Sequence, residues 1–243
     1  MRDLVTDVTE NLTFVLEILG VVAVLFVVAY ILEKLAQKKQ GVKEPVLNTR
    51  KTVMIGVFAA ISAVLMLFEF PVLWAPGFYK LDFSELPILI GAFAFGPVAG
   101  VLMEFIKILL NLCMDGTGTA FIGELANFSV GCSFILPASV LYRFGKTKKS
   151  AIWACVVGTI VITVFGTAFN AIYLIPAYEK ALGLSIASII EMGMGTNPLV
   201  QEGNIWSFVA ACVAPLNLVK GTAVSVITLL VYKPLSPIIK NNR

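Results

Sequence analysis

The chain has 243 residues, 58% of them hydrophobic and only 14% charged, with a mean hydropathy of +0.92. A water-soluble domain carries about 25% charged residues, so this composition puts most of the chain in lipid. Histidine is absent and the net charge is only +3. That removes histidine metal sites, histidine-activated nucleophiles and histidine proton relays, and it gives no reason to expect a nucleic-acid partner.

In chain order, apolar segments lie at 12–33, 52–70, 86–113, 121–142, 151–175 and 205–232. Each can cross a hydrocarbon core of about 30 Å, which takes about 20 helical residues. The segment 86–113 is interrupted by Gly96-Pro97, where a helix must kink or stop. Charge decides between the two. Of the 18 basic residues, 13 fall in three clusters: Lys34, Lys38, Lys39, Lys43, Arg50 and Lys51; Arg143, Lys146, Lys148 and Lys149; Lys233, Lys240 and Arg243. The positive-inside rule puts all three in the cytoplasm, and only a split at Gly96-Pro97 permits that. Seven membrane helices follow, with the amino terminus outside and the carboxy terminus inside. Leu86–Phe95 is short for a span and must sit sheltered among other helices.

Met1–Glu10 is net acidic, the apolar core after it exceeds 20 residues, and lysines follow, so the first helix reads as a retained anchor rather than a signal peptide. The chain divides into this helix at 1–36, a cytoplasmic basic linker at 37–51 and a six-helix core at 52–243. Internal repeats of the inverted-transporter kind are not visible. Cys113, Cys132, Cys155 and Cys212 are dispersed in apolar stretches without a C-x-x-C pair; they read as packing residues, and no metal site is expected.

Charges at membrane depth are costly and mark function unless they pair for structure. The outward loop 71–85 holds Trp74, Phe78, Tyr79, Lys80, Asp82, Phe83 and Glu85, which suits either an interfacial aromatic belt or a binding loop. Glu104, Lys107 and Asn111 share one helical face, and an ion pair between Glu104 and Lys107 explains them more simply than ligand contact. The glycine-rich run from Asp115 through Glu124 to Asn127 enters a helix; it is either a capped turn or a site for an anion or a hydroxyl chain. Asn170, with Tyr173 and Pro176, lies at the outer end of the sixth helix, where an amide often only joins neighbours. The strongest local feature is Pro215-Leu-Asn217-Leu-Val-Lys220-Gly221. Pro215 frees the carbonyl of Ala211, while Asn217 and Lys220 face one side. A lysine this deep requires a carboxylate, carbonyls or a ligand. Ala59 and Ala63, with Gly56 a turn earlier, make a small-residue stripe against which another helix can pack, from this chain or from a partner.

This constellation resembles the riboflavin-specific substrate-binding (S) components of bacterial energy-coupling factor (ECF) transporters. The resemblance rests on Lys80-Leu-Asp-Phe-Ser-Glu85-Leu-Pro leading to Phe95-Gly-Pro-Val-Ala-Gly100, on Gly123-Glu-Leu-Ala-Asn-Phe-Ser-Val-Gly131, on Asn170 with Leu174-Ile-Pro-Ala-Tyr178, and on Pro215-Leu-Asn-Leu-Val-Lys-Gly221. It covers about 52–235 and implies an all-α six-helix bundle, here preceded by an extra membrane helix to which it assigns no role. The family captures its vitamin from outside in a pocket closed by the loop after its first helix. Carried over, Asn170, Asn217 and Lys220 match the positions that hydrogen-bond the isoalloxazine ring. The loop at Leu81, Asp82 and Phe83 covers the pocket, Glu124 and Asn127 belong to a ligand motif, and Ala59 and Ala63 match the alanine pair that docks on the membrane-embedded coupling (T) subunit. The implied partners are riboflavin, the T subunit, two ABC ATPase subunits and the bilayer of a bacterial cell membrane; no cofactor is implied, riboflavin being cargo.

The residues suit such a ligand independently. A flat ring with an imide edge and a polyhydroxyl chain needs aromatic walls, a few amides and a cation. Trp74, Phe78, Tyr79, Phe83, Tyr173 and Trp206 can wall it, while Asn217 and Lys220 can read the imide. Gly145-Lys146-Thr147 lacks the remainder of a P-loop, so energy must come from other subunits. An S component for another vitamin or flavin derivative stays open. A lipid enzyme using Glu104, Asp115 or Glu124 as acid or base is disfavoured by the missing histidines and carboxylate metal cluster, and the protein is expected not to be an enzyme.

Overall fold

A computed structural model describes residues 8–41 and 45–240, with side chains as far as Tyr232. Helix α1 (Leu12–Gln40) ends at Gly41, whose φ of 65° allows its N–H to turn back onto the Lys38 carbonyl. Helix α2 (Thr49–Met66) is capped by the Asn48 side chain, which accepts from the Lys51 N–H at 2.9 Å. The following loop contains two short antiparallel strands, β1 (Phe70–Pro71) and β2 (Lys80–Leu81), with Phe70 opposite Leu81.

Helices α3 (Glu85–Phe95) and α4 (Pro97–Asp115) are separated at Gly96, as the charge argument requires. Gly96 has φ 108°, a conformation costly for any other residue, and Pro97 is preorganised for the first helical position. Every residue of α3 except Leu86 and Ala94 is buried, so the short segment is wrapped by its neighbours. Its Ile88, Leu89 and Phe93 form a core with Met103 of α4 and with Phe134 and Ile135 of α5 (Ile122–Gly145).

Helix α6 (Lys148–Phe169) runs through a π-turn at Asn170–Leu174 into α7 (Ile175–Leu182). Next come α8 (Ile186–Thr196) and α9 (Ile205–Phe208), then a second π-turn at Val209–Val213 leading into α10 (Ala214–Lys240). Each π-turn lies just ahead of a proline, Pro176 or Pro215, whose missing N–H breaks the regular ladder. The Ala211 carbonyl that Pro215 frees accepts from the Asn197 amide at 3.0 Å. Helix α8, apolar but only 11 residues long, is an addition to the expected elements.

Among the described residues, six helical runs are long and apolar enough to cross a membrane: Leu12–Gln40, Thr49–Met66, Pro97–Asp115, Ile122–Gly145, Lys148–Leu182 and Ile205–Tyr232. The first two basic clusters meet at one end of the bundle, where the Gln40 amide donates to the Arg143 carbonyl and Lys39 sits 5.2 Å above the Phe144 ring. Lys43 and Arg243 lie outside the described residues, as do the side chains of Lys233 and Lys240.

Of the two packings open for Ala59 and Ala63, the structure has the internal one, against the docking role that the resemblance implies: they are 0% and 1% exposed, on the face of α2 that packs against α3 and α4. The small residues that face outward on α2 are Gly56 and Ala60, alongside Val53, Val57, Ile61 and Val64. Alanines four apart reveal a small-residue face, but on a helix that is apolar all round they do not say which way it turns.

Candidate substrate-binding cavity

A cavity of about 390 Å³ lies beneath the 67–84 loop, between α5, the first π-turn and α10. That volume falls in the range of small-molecule sites, roughly 300–1,000 Å³. Asp82, Asn127, Asn170, Asn217 and Lys220, all singled out from the sequence, reach it together from four separate parts of the chain. Phe78, Tyr79 and Tyr178 provide aromatic lining, and Leu174, Val213 and Leu216 provide aliphatic lining.

The amides play different parts. Asn170 is buried and already occupied: its Nδ2 donates to the Gly166 carbonyl at 2.8 Å and its Oδ1 accepts from the Tyr79 hydroxyl at 2.8 Å. Burial pushes the Tyr79 phenol far above its usual value, so it stays a neutral donor and fixes the orientation of Asn170. Asn127 donates to the Gly123 carbonyl at 3.1 Å. Asn217, by contrast, has no side-chain hydrogen-bond partner among the described residues, and it opens on the cavity. It packs so closely on Gly166 that a Cβ there would lie 2.5 Å from its Nδ2.

Lys220 satisfies the expectation that a deep lysine needs carboxylates. Its ammonium lies 2.9 Å from Asp82 Oδ2 and 2.7 Å from Glu85 Oε2. Glu85 also pairs with Lys107 at 3.2 Å, and Lys107 with Glu104 at 2.7 Å. The five charges therefore alternate in one buried chain, Asp82–Lys220–Glu85–Lys107–Glu104, that ties the covering loop through α10 to α3 and α4. Alternation lets each ion replace lost hydration with an opposite partner. Asp82 further accepts from the Ser84 N–H at 2.8 Å. Burial alone would raise its carboxyl, but Lys220 and then Lys107 outweigh that and hold it at about 2.

The remaining expectations divide. Leu81 sits in the short ladder of the loop and Phe83 packs into the α3 core, so neither lines the cavity. Glu124 is buried behind the wall, accepting from Thr119 Oγ1 at 3.1 Å, while Thr119 and Gly123 themselves line the space. Tyr173 points away, to a separate groove beside α1, where its hydroxyl donates to Glu17. Trp206 is exposed and Trp74 packs outside the cavity with the α8 core. Sequence reasoning missed Glu85 as a partner of Lys220 and Tyr178 as a wall. Tyr178 was signalled by its place on the Asn170, Leu174, Tyr178 face, four residues per step; Glu85 stood in the loop motif, but no local pattern joined it to Lys220.

The family model for the substrate-specific component of ECF transporters matches residues 50–232. The chain belongs to this family. It is a transport component of the membrane and not an enzyme. An S component of a bacterial ECF transporter whose structure is solved is 30% identical, with a TM-score of 0.60 over 78% of this chain and 97% of that one. The riboflavin transporter RibU of Streptococcus thermophilus is 35% identical over 79% of this chain and 85% of its own length. RibU of Staphylococcus aureus is 31% identical over 79% and 94%, and the riboflavin transporter FmnP of Bacillus subtilis 29% identical over 81% and 97%. Helix α1 lies ahead of the residues the family model matches.

Proposed function

We propose that this S component binds riboflavin from outside the cell and delivers it inward when coupled to a T subunit and two ABC ATPases. The observation that carries the reading is the open Asn217 amide beside Lys220 in a cavity of about 390 Å³. An amide both donates and accepts, so Asn217 can pair with the imide N–H and carbonyl of an isoalloxazine edge, while Lys220 donates to a second carbonyl. Phe78, Tyr79 and Tyr178 supply faces for the ring, and Asn127 and Thr119 supply polar groups for hydroxyls. Likeness to transporters named for riboflavin supports the same ligand. Asn170 acts by holding its wall in place, and Glu124 by bracing Thr119.

The loop carrying Asp82 closes the cavity through its bond to Lys220. The T subunit docks on the outward face of α2 at Gly56 and Ala60, where a neighbouring helix can approach closely. The basic ends of α1 and α5 lie in the cytoplasm, which puts the cavity mouth outside. Titrating the detergent-purified protein with riboflavin tests the assignment: saturable quenching of flavin fluorescence is expected, and no binding at micromolar flavin would overturn it.

A further inference from the structure

Helix α1 does not lie flush on the bundle. Between it, α5 and α6 runs a trough of about 1,090 Å³, walled by Gly20, Val24, Leu136, Val140, Val161 and Phe165. Its α1 wall extends from Glu17 to Leu32, about 23 Å at 1.5 Å per residue, which is most of a hydrocarbon core of about 30 Å. The helix cannot shift inward to fill the space because it is fastened along its length. At one end Glu17 accepts from Tyr173. At the other Gln40 donates to the Arg143 carbonyl. Between them Glu33, fully buried, accepts from the Val98 N–H at 3.2 Å, at the start of α4.

We propose that this trough holds an anionic phospholipid as a resident ligand. Its walls offer hydrocarbon to an acyl chain, and its ends differ in charge. Glu17 stands at one end; past Leu32 at the other, Lys38 and Lys39 continue the lining face of α1, both exposed. A phosphate belongs at the lysine end, with the acyl chain running toward Glu17. Headgroups lacking an ammonium are preferred there, since a choline would bring a like charge against the lysines.

Native mass spectrometry of the full chain tests this, after delipidation and re-addition of phosphatidylglycerol or phosphatidylcholine. The wild type is expected to retain one phosphatidylglycerol and to prefer it over phosphatidylcholine by about tenfold, or about 1.4 kcal/mol. Gly20 has nothing within 4 Å of where a Cβ would stand, so Gly20→Phe with Val24→Phe fills the trough without entering the core. That double variant is expected to lose the lipid while keeping its melting temperature. Lys38→Ala with Lys39→Ala is expected to lose the headgroup preference. Equal retention by the wild type and the filled variant overturns the proposal, as does a wild type that holds both lipids equally. If the filled variant fails to fold, the lysine variant still decides.

Discussion

Lys220 was the residue the sequence marked most strongly, and its surroundings change how it should be tested. Lys220→Ala strands Asp82 without a cation and leaves Glu85 only Lys107, and breaking such a buried pair costs about 3–5 kcal/mol of stability. Lost flavin binding in that variant would mix ligand recognition with damage to the fold. Asn217→Ala is the cleaner probe, because no protein partner is stranded. It is expected to weaken flavin binding by about 1–3 kcal/mol at unchanged melting temperature, as read by fluorescence titration and thermal unfolding. Gly166→Ala should weaken binding in the same way, since its methyl would meet the Asn217 amide at 2.5 Å and turn it from the cavity. Asp82 supplies a pH test. Its folded value of about 2 lies below the ordinary 3.8, so the stabilisation it gives is complete above pH 3.8 and is lost only as pH falls through 2. The Asp82–Lys220 contact is therefore expected to contribute no change in flavin affinity from pH 5 to pH 8, and a loss on acidification within that range would show that another group controls the closed loop. At this scale the sequence singled out polar residues that meet at one cavity but not who holds whom. Lys220 pairs with Asp82 across 138 positions, and no local spacing encodes that.

Among the elements, the break at Gly96-Pro97 was legible because charge parity and proline chemistry agree. The direction of the α2 face was not, because every side of that helix is apolar. Ala63→Leu is expected to overpack the interior and destabilise the protein by about 1–3 kcal/mol, whereas Ala60→Leu should preserve the fold and flavin binding and impair co-purification with a T subunit. Thermal unfolding and pull-down of the two variants separate core packing from docking; equal behaviour would contradict the orientation given for α2. Pro215 was expected to free the Ala211 carbonyl, but the π-turns ahead of Pro176 and Pro215 were not legible, nor was their consequence: they bring Asn170 and Val213 onto one cavity. Helix α1 was recognised as an addition, and its fastening through Glu33 to the Val98 N–H of α4 could not be read from either segment alone. Removing residues 1–45 is expected to leave flavin binding intact and lower the melting temperature, since Val98 N–H loses its acceptor.

Taken whole, the protein is a membrane bundle with a small polar chamber near one end and its first two basic clusters at the other. Composition fixed the solvent, and hydropathy with charge fixed the order of the spans, because lipid forces every backbone group into a helix. The chamber was half visible: Lys220 stood out through the cost of burying it and Asp82, Asn127, Asn170 and Asn217 through their motifs, while the aromatic walls chosen from the sequence split between chamber, core and surface. On the function proposed above, transport is a division of labour in which this chain supplies recognition and its partners supply ATP-driven force. The absorbance spectrum of the protein, purified in mild detergent from riboflavin-fed cells, tests that most directly. Visible flavin bands that survive size exclusion in the wild type, and fade in Asn217→Ala, are the predicted result. A colourless wild type that also fails to quench added riboflavin would contradict it.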